Sequence, residues 1–131
     1  MLKKSAQSKL HQECFLGDKF MSQLFVVIVA TVPEYYSFKQ EHPEHDKNQI
    51  AWFKAQKEKG NLVCCGPFYP HDGTGLWILA AENKEQAQEI VNTSPRAQDN
   101  LLADETRIVE WQTTMGRDRL TDEPLDKPLT S

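Results

Sequence analysis

The chain has 131 residues, which fits one domain, and its hydrophobic content of 39% and charged content of 26% are ordinary for a globular protein. The formal net charge of -4 argues against the clustered positive charge of a nucleic-acid-binding surface, so no nucleic-acid partner is expected. No apolar run approaches the roughly 20 residues that a bilayer requires, so no membrane span is expected. The three cysteines, an odd number, favour a reducing, cytoplasmic location over a disulfide framework.

The sequence divides into a polar start, one patterned segment and a polar end. Residues 1–21 predict a polar N-terminal extension without a secretory signal, because no continuous apolar stretch follows the basic start. Residues 22–115 hold the regular hydrophobic patterning and predict the folded domain. Residues 116–131 are charged and interrupted by proline, which is typical of a mobile tail or of an arm laid on a neighbour.

The first part of the domain predicts a strand followed by a helix. Residues 25–30 are apolar and rich in β-branched side chains, which indicates a buried strand that Pro33 ends. Residues 41–46 lead into a helix that runs to about Lys59, and Gly60 has the position of a left-handed cap. The residues expected on the apolar side of this helix are Ile50, Trp52, Phe53 and Ala55.

The rest of the domain predicts three strands and a second helix. Asn83, with Gln86 three residues later, has the pattern of a capped helix start, and Pro95 marks the end of that helix. The three strands are predicted at 62–65, 76–81 and 106–111.

This order of elements, β-α-β-β-α-β, predicts an α+β, ferredoxin-like fold with a four-stranded antiparallel sheet. The first and third strands are central in that topology, and here they are the continuous apolar runs, whereas the fourth alternates with Arg107 and Glu110. Two helices cover only one face of the sheet, yet Val26, Ile28 and Ala30 are as apolar as the residues between them. Because exposure of a second apolar face is unfavourable, we expect a homodimer through the sheet faces, a dimeric α+β barrel.

Several motifs resemble the YciI-like (YCII-related) family. The chain has the apolar pair Trp52-Phe53 in its first helix, then Lys59-Gly60-Asn61-Leu62-Val63, then Cys65-Gly66-Pro67-Phe68. These resemble the family's helix with an apolar pair, its Gly-x-Leu and its Gly-Pro. The resemblance implies a dimeric α/β barrel with a cleft for a small molecule.

Members of that family carry a histidine in the first helix and an aspartate before the proline that ends the second, and the resemblance implies that this pair is catalytic. Counting from Gly60 and Pro95 places Gln49 and Ser94 at these positions here. Glutamine has no titratable proton near neutral pH, and serine is a nucleophile only beside a base. We therefore expect the family chemistry to be lost or altered, with Gln49 and Ser94 orienting a ligand.

His45 offers a compensation, since it lies one helical turn before Gln49 on the same face. It is the candidate catalytic residue of an enzyme hypothesis. The competing interpretation is a solvated histidine at a polar helix start. The other residues expected to line a ligand cleft are Gly66, Pro67, Tyr69 and Arg96, the last as a partner for an anionic group.

Metal and redox sites are not expected from the sequence. His42 and His45 have a spacing that metals use, but further converging ligands are not evident. Cys64 and Cys65 are expected to be small core residues on opposite faces of the sheet.

Two functions therefore remain open. The first is a YciI-like domain that binds a small polar or aromatic metabolite and is non-catalytic or altered, because Gln49 and Ser94 replace the pair. The alternative is a cofactor-independent enzyme of the isomerase, lyase or monooxygenase type that uses His45 for acid–base chemistry. Neither function is expected to need a cofactor.

Overall fold

The structure is a computed structural model that describes residues 23–122. The N-terminal extension predicted at 1–21 and the tail beyond residue 122 lie outside the described residues. The elements in chain order are β1 (Gln23–Val29), α1 (Tyr35–Glu41), α2 (Glu44–Glu58), β2 (Leu62–Pro67), β3 (Gly75–Ala81), α3 (Lys84–Asn92), α4 (Pro95–Gln98), β4 (Arg107–Trp111) and α5 (Arg117–Asp122).

The four strands form one antiparallel sheet in the order β2-β3-β1-β4. Phe25 of β1 pairs with Leu79 of β3, and Val26 of β1 pairs with Val109 of β4. The apolar first and third strands are therefore central, which confirms the predicted α+β, ferredoxin-like arrangement.

The two faces of the sheet are covered differently. On the helix side, Phe25, Val27 and Leu79 are buried in a core that includes Val91 of α3. On the outer face, Leu24, Ile78 and Ala80 form a smaller cluster. Leu120 of α5 packs against this outer cluster, so the sequence from 116 onward begins with a short helix that the charged composition did not predict.

The single helix predicted from 41–46 to Lys59 is in fact preceded by another. Helix α1 ends at Glu41, His42 leaves the helical conformation, and Pro43 is the N-cap of α2. A proline at the start of a helix is tolerated, since the first N–H groups have no intrahelical partner. Helix α1 has seven residues, too few for a hydrophobic period to indicate it.

The buried side of α2 differs from the predicted one. Ile50 is 54% exposed and Ala55 is also exposed, so neither belongs to the core. The residues of α2 that are buried or half-buried inside the fold include His45, Gln49, Trp52, Phe53 and Gln56. These positions follow one helical stripe, but three of the five are polar, and hydrophobicity alone therefore misplaced the stripe.

The predicted caps are present. Gly60 has φ 83°, the left-handed conformation that ends α2. The side chain of Asn83 accepts a hydrogen bond from the Gln86 N–H at 2.8 Å, and Gln86 Oε1 accepts one from the Glu82 N–H at 2.7 Å. Among residues 23–122 no helix has the length and apolar character needed to cross a membrane.

Candidate ligand-binding cleft

A cleft of about 470 Å³ lies at the β2 edge of the sheet, between α1, α2, the start of α4 and the β2–β3 hairpin. Phe53 and Trp77 supply apolar walls, with their rings 5.4 Å apart in an edge-to-face arrangement. Two other hollows, of about 650 and 480 Å³, flank α3. Neither holds any of the predicted site residues, all of which lie within 23–122, so the cleft beside α1 is the candidate site.

The β2–β3 hairpin closes one side of the cleft. Tyr36 Oη donates a hydrogen bond to the His71 carbonyl oxygen at 3.1 Å, which fastens the hairpin to α1. Gly73 has φ 93°, and a Cβ added there would lie 2.5 Å from Thr31 Oγ1 and 3.1 Å from Tyr35 Cδ2. Only glycine fits this approach without displacement of its neighbours.

Tyr35 is the polar centre of the cleft. Its hydroxyl oxygen accepts hydrogen bonds from Arg96 Nη2 at 2.8 Å and from Lys39 Nζ at 3.3 Å, while both cations lie 4.8 Å from the centre of its ring. Lys39 also forms an ion pair with Asp46 at 3.1 Å. Burial lowers the pKa of Lys39, but its bonds to Asp46 and Tyr35 outweigh that effect and raise the pKa overall.

Gln49 and Ser94, which the sequence predicts at the positions of the family pair, both cap α4. Gln49 Oε1 accepts a hydrogen bond from the Arg96 N–H at 3.1 Å, and Ser94 Oγ accepts one from the Ala97 N–H at 3.2 Å. The start of a helix leaves its first N–H groups without intrahelical partners, and here Gln49 and Ser94 satisfy two of them. Ser94 is fully buried and does not contribute to the cleft wall, whereas Gln49 does.

Two buried donors at this wall have no protein partner within residues 23–122. They are Nε2 of Gln49 and Nε of Arg96. Arg96 also forms no ion pair with any described carboxylate. Because buried donors are nearly always satisfied, these two unpaired atoms set this wall apart from most of the described core.

His45 is buried, with 2% of its surface exposed, so the interpretation as a solvated histidine is wrong. Its Nδ1 lies 3.1 Å from Asp99 Oδ2, and its Nε2 has no partner among the described residues. The Tyr35 and Phe38 rings lie nearly perpendicular to its imidazole, at centroid distances of 6.5 and 5.7 Å. His45 therefore packs beside Tyr35 and does not line the cleft.

The structure brings together some of the predicted site residues and separates others. Gln49, Gly66, Pro67 and Arg96 line the cleft, whereas Tyr69 is 90% exposed outside it. Sequence reasoning missed Tyr35 and Lys39. Their spacing of four residues, which puts two side chains on the same helix face, is the signal that was available.

The adjacent cysteines face opposite sides of the sheet. Cys64 is half-buried on the outer face, but Cys65 is exposed and lines the cleft, so its predicted place in the core is wrong. Although the side chain of Cys65 keeps contact with solvent, desolvation of its thiol and the neighbouring Cys64 raise the pKa of Cys65 to about 11. In the described part of the chain, no group of three or more His, Cys, Asp or Glu residues is arranged to hold a metal ion.

Comparison with known proteins agrees with this architecture. Residues 23–112 match the family model described as the YCII-related domain. The fold is similar to a solved structure of 5-chloro-2-hydroxyhydroquinone dehydrochlorinase (TftG) from Burkholderia phenoliruptrix AC1100, in complex with 2,5-dihydroxybenzoquinone. The TM-score is 0.56 and the sequence identity is 16%, and the match covers 68% of this chain and 93% of that chain. An identity this low establishes a shared fold alone. No curated protein matches this chain.

Proposed function

The chain belongs to the YCII-related family, and we propose that its cleft binds a small, planar molecule that carries oxygen atoms and a negative charge. The observation that carries the proposal is the missing charge partner of Arg96. Its guanidinium lies at the cleft without a carboxylate partner among residues 23–122, and its Nε is a buried donor without an acceptor. A ligand oxygen with negative charge would supply the charge partner that the guanidinium lacks.

The apolar walls fit a flat ring. Phe53 and Trp77 present aromatic surface, and a cleft of about 470 Å³ is in the range of small-molecule sites. The ligand named for the dehydrochlorinase, 2,5-dihydroxybenzoquinone, is a single oxygen-bearing ring. We take it as the first probe because it belongs to the proposed chemical class.

We further propose that the family's acid–base pair does not operate in this protein. Gln49 and Ser94 have no titratable group for that role, and their side-chain oxygens are engaged in the capping of α4. The alternative, catalysis by His45, needs an imidazole that reaches the ligand, but His45 is buried and is not among the residues that line the cleft. The geometry therefore supports binding with lost or altered chemistry over the His45 enzyme.

Calorimetric titration with 2,5-dihydroxybenzoquinone tests the proposal. The Gln49→Glu variant keeps the acceptor for the Arg96 N–H, removes the unpaired donor and adds a negative charge. We expect it to weaken binding about 10- to 100-fold, as for the loss of a hydrogen bond to a charged group. Gln56→Glu is the matched control, since Gln56 is also buried on α2 and its Oε1 accepts a bond from Asn61.

Two results would contradict the proposal. One is the absence of binding by the natural sequence to this probe and to simple aromatic carboxylates. The other is equal binding by both glutamate variants and the natural sequence. Circular dichroism on each variant separates loss of binding from loss of fold.

We also propose a homodimer through the outer face of the sheet. Val109 and Trp111 of β4 are 38% and 39% exposed there, next to Val26 of β1. Sedimentation analysis should give twice the mass of one chain. Val109→Lys should shift the equilibrium toward the monomer, while Glu110→Lys, one residue along and on the other face, should not; a monomeric natural sequence would refute the proposal.

We also propose that the protein is located in the cytoplasm. This location is supported by the three cysteines, an odd number that suits a reducing compartment. Cell fractionation of the tagged protein tests it, and recovery outside the cytoplasmic fraction would contradict it.

A further inference from the structure

We propose that Tyr35 selects the ligand by donating a hydrogen bond from its hydroxyl group to a ligand oxygen that bears negative charge. This inference rests on the proposed function, because it concerns the same cleft, and it names the group that recognises the ligand there. Nothing in the family's histidine–aspartate pair corresponds to this residue, which lies on α1.

The hydroxyl oxygen of Tyr35 already accepts two hydrogen bonds, but its O–H group donates none to the described residues. A tyrosine hydroxyl can accept through its oxygen lone pairs and donate one proton. Arg96 Nη2 and Lys39 Nζ, at 2.8 and 3.3 Å, are donors that cannot accept, so they occupy the oxygen's accepting side. The hydroxyl O–H of Tyr35 is therefore still available to donate one hydrogen bond.

No group within residues 23–122 accepts that proton, since the bonds formed by the Tyr35 hydroxyl are the two that it receives. The residue is 3% exposed and lines the cleft. A buried hydroxyl proton without an acceptor is unfavourable, and a ligand oxygen in the cleft would relieve it.

The charges around Tyr35 determine which oxygen is preferred. Two cations, Lys39 and Arg96, and one carboxylate, Asp46, meet at this place, so one positive charge is left over. A deprotonated hydroxyl or a carboxylate gains from that charge, whereas a protonated amine is repelled and has no lone pair to accept a hydrogen bond. The subsite therefore favours an anionic acceptor oxygen, whether it belongs to a hydroxyquinone or to an aromatic acid.

Tyr35 is held in place before any ligand arrives. Its ring lies nearly perpendicular to that of His45, which Asp99 orients, and a Cβ added at Gly73 of the hairpin would lie 3.1 Å from its Cδ2 atom. A rigid donor loses less entropy on binding than a mobile one. In this arrangement His45 and Asp99 are positioning residues, and Tyr35 is the group that contacts the ligand.

Calorimetric titration of Tyr35→Phe with two probes, 2,5-dihydroxybenzoquinone and benzoate, tests the inference. The substitution keeps the ring and removes only the hydroxyl, and we expect affinity to fall about 10- to 100-fold for the probe that the natural sequence binds. The probe whose affinity falls more shows whether the anionic oxygen belongs to a hydroxyquinone or to an aromatic acid. Tyr69→Phe is the matched control, because Tyr69 lies outside the cleft wall and should change affinity less than about twofold.

A second variant protects the test against misfolding of Tyr35→Phe. Lys39→Met leaves Tyr35 intact and removes one cation, so it should also lower affinity. Unchanged affinity in both variants, with binding by the natural sequence intact, overturns the inference and leaves the proposed function standing. If the natural sequence binds neither probe, the proposed function fails and the inference fails with it.

Discussion

Nδ1 of the buried His45 lies 3.1 Å from Oδ2 of Asp99, and this contact joins the first turn of α2 to the C-cap of α4. A carboxylate only accepts hydrogen bonds, so Nδ1 carries the proton in this pair. The contact holds His45 beside Tyr35, whose ring lies nearly perpendicular to the imidazole. It therefore links α4, the helix that begins with Pro95 and Arg96, to the residue at the polar centre of the cleft.

Asp99→Ala should lower the free energy of unfolding by about 1 kcal/mol, because it leaves the buried Nδ1 of His45 without its acceptor. The expected loss of stability is small because Asp99 is partly exposed, so water can replace its carboxylate beside His45. Urea denaturation measures the change. Asp104→Ala is the control, since Asp104 is an exposed aspartate nearby, and equal losses in the two variants would show that the His45 contact contributes nothing.

Ser94→Ala should destabilise the fold by about 1–2 kcal/mol, since a lost N-cap leaves the Ala97 N–H without a partner. Ser37→Ala is the comparison, because the exposed Ser37 hydroxyl bonds only to the nearby Glu34 carbonyl oxygen. Thermal unfolding of both variants is the measurement. A Ser94 variant as stable as the natural sequence would mean that Gln49 alone is enough to cap α4.

Gly73→Ala should be more destabilising than Gly116→Ala by about 1 kcal/mol or more. Both glycines have φ near 90°, so alanine is strained at either position, but only at Gly73 would the new Cβ meet Thr31 and Tyr35. The difference between the two variants in urea denaturation isolates the steric effect from the strain. Equal losses would show that the hairpin moves away freely.

The central strands were predictable because their signal is local, whereas the site depends on contacts between distant residues. The apolar runs at β1 and β3 identified the middle of the sheet from composition alone. The buried stripe of α2 was misplaced because Gln49 and Gln56 are buried through hydrogen bonds to Arg96 and Asn61, which hydrophobicity does not register. Likewise, Tyr35 and Arg96 are 61 positions apart and meet only in the folded chain.

Leu120→Ala should lower stability by about 1 kcal/mol, because Leu120 packs against the outer cluster of the sheet and its burial is partial. Met115→Ala is the control, since Met115 is 88% exposed and its removal should change stability by less than about 0.5 kcal/mol. Denaturation of the two variants gives the comparison. Equal values would indicate that α5 does not contribute to the fold.

Alkylation of Cys65 should be slow at neutral pH and faster as the pH rises toward about 11, because only the thiolate reacts and its pKa is raised to about 11. Compared with a thiol whose pKa is the ordinary 9.0, a pKa of about 11 lowers the thiolate fraction at pH 7.5 about 100-fold. Mass spectrometry of iodoacetamide-treated protein after digestion measures the rate. A ligand in the cleft should slow alkylation of Cys65 and leave Cys64, on the other face of the sheet, unaffected; equal protection of both cysteines would contradict the placement of the ligand in the cleft.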